Sequence, residues 1–120
     1  MPNPVDLKTF KPNTPKDLFD AIVSHVVPVL GDQVQKGLKE LRSHIQAVSI
    51  QSFRTAKDLA EGKITQHDAD YLLNMQEAYL NNILRLAGFL PYVLAQAVLD
   101  TVIKVISAAV KNWTGIELKF

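Results

Sequence analysis

Between Leu86 and Val110 the chain carries only two charges, Asp100 and Lys104, in a run that is otherwise largely apolar. On a helix, the polar positions Gln96, Asp100, Lys104, Ser107 and Lys111 recur at steps of 4, 4, 3 and 4. They form one narrow stripe on a cylinder that is apolar almost everywhere else. A helix of this kind does not lie on the surface of a small soluble domain. It has to be covered by other helices, by copies of itself, or by lipid.

The remainder of the sequence offers helices to cover it. Thr14 and Pro15 make a start signal, with Thr14 as N-cap, Pro15 at the first helical position and Asp17 near the positive helix end. Leu18, Phe19, Ile22, Val23, Val26 and Val27 then follow at helical spacing, and Pro28 is expected to kink or end the helix. A second helix is expected from about Asp32 to Glu61. Its residues Val34, Leu38, Leu41, Ile45 and Val48 are spaced 4, 3, 4 and 3, too short a seam for a free-standing coiled coil.

Glu61 to Asp68 reads as the turn of a helical hairpin. Gly62 suits a left-handed C-cap, Ile64 can pack back on the helix it leaves, and Thr65 with Asp68 has capping-box spacing. The second and third helices should therefore run antiparallel. The third helix presents Ala69, Leu72, Leu73, Gln76, Tyr79, Leu80, Ile83, Ala87 and Leu90 as its apolar side, and Gly88 with Pro91 interrupts it. The fourth runs from about Pro91 to Asn112, with Gly115 as terminator. Val5 to Lys8 and Ile116 to Phe120 alternate apolar and charged residues, a strand-like pattern that would allow a small ribbon or frayed ends. The expected architecture is all-α: a bundle of about four helices with an antiparallel hairpin and possible short strand-like termini. Its expected parts are an extended leader over 1–14, a helical bundle over 15–112 and a tail over 113–120.

Composition removes several classes of function. The 120 residues suit one domain able to bury its own core. Without cysteine there is no disulfide, thiolate metal site or thiol nucleophile. A formal charge of +1 argues against a chain built to neutralise nucleic-acid phosphates. Lys36, Lys39, Arg42, Arg54 and Lys57 give the second helix a basic bias, offset by Glu40, Asp58 and Glu61, and read as its solvated side. The segment MPNPVDLKTFKPNTP has no apolar region of signal-peptide type, so the cytoplasm is the expected compartment.

Candidates for chemistry are sparse. Glu40 and His44 lie one helical turn apart, but two ligands do not make a metal site. His67, Asp68 and Asp70 are explained by their place in the first turn of a helix. His25 has no acid or nucleophile tied to it in sequence, and no phosphate-binding glycine loop, nucleophile elbow or zinc-protease motif is present. The expectation is a protein that is not an enzyme and that takes no metal or cofactor.

Two broad roles compete. The first is a helical oligomerisation or interaction protein, structural in character, most simply a homo-oligomer with a possible protein partner. The second is a membrane-active protein inserting residues 83–111, a run of spanning length that carries Asp100 and Lys104 at an expensive depth. A carrier of an apolar ligand between the helices is the remaining alternative. For the first role, Asp100 and Lys104 are the candidates for interface specificity, with the acid four residues ahead of the base in the favourable order for an ion pair. Val98, Val102, Val105 and Ile106 are expected to form the core or a subunit contact.

Overall fold

The first helix begins as its capping signal requires. Thr14 has extended backbone, and its hydroxyl accepts a hydrogen bond from the Asp17 amide at 3.1 Å. In the computed structural model, which describes residues 6–86 and 90–116, helix α1 spans Pro15–Leu30 and passes through Pro28 without ending. A proline inside a helix costs about 3 kcal/mol. Val26, Val27 and Leu30 around it are all buried, and each such side chain contributes about 1.5–3 kcal/mol, so burial outweighs the lost bond. The break falls instead at Gly31, in the left-handed half of the backbone map at φ 52°, followed by a 3-10 turn over Gly31–Gln33.

Helix α2 spans Val34–Ala60, starting two residues later than the sequence suggests. Its seam residues Leu41, Ile45 and Val48 are buried, and Val34 and Leu38 are partly buried against the core. Gly37 permits a close approach near the α1–α2 corner. A Cβ there would sit 3.0 Å from both terminal methyls of Leu30.

The hairpin turn forms as read. The Lys63 amide donates to the Asp58 carbonyl at 2.8 Å and the Gly62 amide to Leu59 at 3.1 Å, with Gly62 at φ 73°. These are the two bonds of a Schellman ending. Thr65 and Asp68 then cap reciprocally: the Asp68 amide donates to the Thr65 hydroxyl at 3.1 Å, and the Thr65 amide to the Asp68 carboxylate at 3.2 Å. Helix α3 follows over Gln66–Leu86, and α4 over Tyr92–Thr114, two residues beyond the expected end. Gly115, at φ 77°, terminates α4 with its amide on the Lys111 carbonyl at 2.7 Å.

Helices α2 and α4 touch each other and both remaining helices, whereas α1 and α3 make no contact among the described residues. The bundle therefore has α2 and α4 along its short diagonal and α1 and α3 on opposite flanks. Its radius of gyration is 13.7 Å, against about 13.6 Å for a compact chain of this length. One copy is enough to enclose the core.

The described part of the leader is held to the bundle at Leu7 and Phe10, while residues 1–5, Val5 of the first strand-like segment among them, lie outside the described residues. The Asn112 side-chain amide donates to the carbonyls of Leu7 and Phe10 at 2.9 and 3.0 Å, and both apolar side chains pack against the core. Residues 7–9 form a turn, not a strand, and no strand occurs among the described residues. The second strand-like segment lies, beyond Ile116, outside the described residues, as do Ala87 and Gly88.

Candidate interaction surface

The structure divides the residues that the sequence singles out on α4. Val98, Val102, Val105 and Ile106 are buried in the chain's own core. Asp100 and Lys104 are exposed on the outer edge of the helix. The two groups do not share a surface. Asp100 accepts a hydrogen bond from the Gln96 side chain at 2.9 Å, one turn earlier, rather than pairing with Lys104. The polar stripe is thus the wet edge of a buried helix.

Among the described residues, most of the exposed large hydrophobic side chains lie on α3 instead. This helix buries Ala69, Leu73, Leu80 and Leu84. Leu72, Met75, Tyr79 and Leu86 face outward with relative exposures of 38%, 50%, 39% and 82%. Together with exposed Asn82, they recur at steps of 3, 4, 3 and 4, the spacing of a helix-pairing seam. Tyr71 and Ala78 extend this face along one side. Glu77 is the only charge between Tyr71 and Leu84, and it is half-buried beside the core-facing row. Where α3 ends, the Arg85 guanidinium lies over the Tyr92 ring at 5.4 Å, and exposed Tyr92 and Val93 prolong the apolar surface onto the start of α4.

Periodicity misassigned part of this helix. Leu72 and Tyr79, placed on the core side by periodicity, stay partly open to solvent outside the core, which takes Leu73, Leu80 and Leu84. Tyr79 is nonetheless held in place. Its hydroxyl lies 2.7 Å from Nδ1 of His44 on α2, with the two rings tilted by 58°. His44 is thus engaged in joining two helices. His25 is half-buried, whereas Glu40, His67 and Asp68 are exposed. No group of three or more potential metal ligands gathers among the described residues.

The polar atoms inside the bundle are nearly all satisfied. Ser49 and Thr55 donate back to the carbonyls of Ile45 and Gln51 at 2.7 and 2.9 Å. Buried Ser52 has a hydroxyl oxygen without a partner. It occupies a seam position on α2.

Comparison with protein-family models, curated proteins and solved structures gives no match to this chain. The surface itself therefore carries the functional argument.

Proposed function

We propose that the protein is a non-enzymatic helical assembly module that pairs with a second copy of itself through the outer face of α3. The observation behind this reading is the exposed seam Leu72, Met75, Tyr79, Asn82 and Leu86. A face nearly free of charge meets its own copy without like-charge repulsion. Two-fold symmetry makes such a contact self-complementary and closed.

The charges at the helix ends favour an antiparallel pairing. Asp68 and Asp70 lie at the start of α3 and Arg85 at its end. Antiparallel helices bring the acidic start of one copy toward Arg85 of the other and oppose the two helix dipoles. Centred on Tyr79, this register sets Leu72 of one copy against Leu86 of its partner. Asn82 on the seam is a polar group of the kind that fixes register at some cost in stability. A parallel pairing would instead bring like charges together at both ends.

The membrane reading has one feature in its favour. Tyr92–Thr114 is long and apolar enough to cross a bilayer by length and composition. Its apolar side is the core of the bundle, so insertion would require the bundle to open.

Light scattering across a concentration series tests the proposal, with Met75→Glu and Leu86→Glu as exposed substitutions that spare the core. A dimer that becomes a monomer in both variants, with unchanged helical circular dichroism, is the expected result. A monomer at every concentration, or a dimer indifferent to both changes, overturns it. Co-sedimentation with liposomes accompanied by loss of the Trp113 tertiary signal would favour insertion of α4 instead.

A further inference from the structure

The basic bias of α2 has a structural counterpart on the flank of the molecule away from α3. A furrow of about 560 Å³ runs between the first turn of α1 and the middle of α2, floored by Pro15, Phe19 and Ile50. A second hollow of about 310 Å³ continues it along α2 toward the hairpin turn, sharing Pro15 and Ile50 and adding Phe53. The rim is cationic. Lys16, Arg42, Arg54, Lys57 and Lys63 line the two hollows, against the carboxylates Asp20 and Asp58. The chain as a whole is only +1, so positive charge is concentrated here.

Local partners occupy part of that charge. Lys16 pairs with Asp20 at 2.9 Å, and Lys63 with Glu61 at 3.2 Å. The Arg42 guanidinium lies over the Phe19 ring at 5.6 Å, which leaves its charge available to an anion. Arg42, Arg54 and Lys57 make no ion pair among the described residues. They stand along α2 over a distance of about 22 Å, four turns of helix.

We infer that this furrow binds an acidic amphipathic helix from a partner protein, its apolar ridge on Phe19 and Ile50 and its carboxylates on Arg42, Arg54 and Lys57. A helix laid in a groove uses an apolar stripe flanked by charge, and the furrow supplies both in complementary form. Its shape discriminates among anionic partners. A single-headed amphiphile has one anionic end and does not match cations spread over four turns. A membrane surface is met best by protruding apolar side chains, and here Phe19 and Phe53 are recessed and half-buried. A single-stranded nucleic acid needs a row of aromatic faces open for stacking, whereas Arg42 takes one face of Phe19, leaving only the rest of that ring to the furrow, and Phe53 packs against Trp113 at 5.3 Å between ring centroids.

The test uses fluorescence anisotropy with the full chain and a labelled peptide of about 15 residues. Leucines form one helical stripe in the peptide, with glutamates on both flanks; a scrambled peptide of identical composition is the control. Anionic phosphatidylglycerol vesicles form a separate arm. Saturable binding of the ordered peptide is expected, weakened about tenfold or more by Arg54→Glu with Lys57→Glu and by Ile50→Asp, while Lys104→Glu on α4 leaves it unchanged. Equal binding of the scrambled peptide, indifference to the α2 charge reversals, or binding to vesicles without binding to the peptide would overturn the inference. Met75→Glu protein should bind the peptide as tightly as the unsubstituted chain, so this result stands or falls separately from self-association through α3.

Discussion

Nδ1 of His44 on α2 and the hydroxyl of Tyr79 on α3 lie 2.7 Å apart, a polar link between the two helices. Tyr79 also stands at the centre of the exposed seam on α3. Tyr79→Phe keeps the ring and removes the bond. It should cost about 0.5–1.5 kcal/mol in urea unfolding, and His44→Ala combined with Tyr79→Phe should lose less than the sum of the two single changes. Full additivity would show that the two groups do not interact in solution.

Ser52 offers a change in the opposite direction. Its buried hydroxyl oxygen has no hydrogen-bond partner, and an unsatisfied polar group of this kind costs about 1–3 kcal/mol. Ser52→Ala leaves almost no cavity and removes that burden. The expected outcome is a gain of roughly 1 kcal/mol, read as a higher denaturant midpoint with an unchanged slope.

The start of α3 should respond to acid. The backbone amide of Thr65, and after it the Thr65 hydroxyl, hold the Asp68 carboxyl below its ordinary value of 3.8. A carboxyl with a lowered folded-state pKa contributes stability that is fully present above the unfolded value. That contribution is lost as pH falls through the folded value. Amide exchange at residues 66–69 should therefore quicken below about pH 3.8 relative to the helix centre. Asp68→Asn should exchange faster than the unsubstituted chain at neutral pH and lose most of this acid response.

Asn112 makes a stronger claim on the N-terminal segment. Its amide serves two carbonyls at once, those of Leu7 and Phe10. Asn112→Ala should release residues 6–11, seen as faster proteolysis and lost exchange protection there, with a stability cost on the order of 1–3 kcal/mol. Protection that survives the substitution would mean that Leu7 and Phe10 hold the segment by packing alone.

Within the core, Val98→Asp should prevent folding, because it places a carboxylate at a fully buried site with no partner on hand. Loss of helical circular dichroism at neutral pH is the expected observation. A folded protein that merely fails to associate would mean that Val98 lies at a subunit contact and not in the core of one chain.

These contrasts show where the sequence is informative. The hairpin turn, the Thr14 cap and the polar stripe of α4 could all be read directly, because each depends on residues close in sequence, with successive members about one turn apart or nearer. Pro28 could not, since its local penalty is outweighed by the burial of Val26, Val27 and Leu30 against helices distant in sequence. On α3 the ambiguity is built into the residues. Leu72 and Leu73, Tyr79 and Leu80, and Ile83 and Leu84 are adjacent apolar pairs, so two overlapping faces of the helix read as core. The bundle buries Leu73, Leu80 and Leu84 and leaves Leu72 and Tyr79 partly exposed. That choice depends on the rotation of α3 against α2 and α4, which no local pattern encodes. The furrow beside α1 was equally hidden, because its floor and rim combine residues from two helices.

The amide that fixes the leader belongs to a residue 105 positions after Leu7 and 102 after Phe10. During synthesis, residues 7–10 therefore have no partner in Asn112 until the chain has been made through α4. Helices α1 to α3 can form their local turns and caps in order, but docking of the leader requires α4 to be complete through Asn112. Closing a loop of that length costs entropy that grows only slowly with its size, so the delay comes from chain order more than from energy. Protection of residues 7–10 against protease thus serves as a timer for synthesis: it should appear last, and only in chains that carry the end of α4.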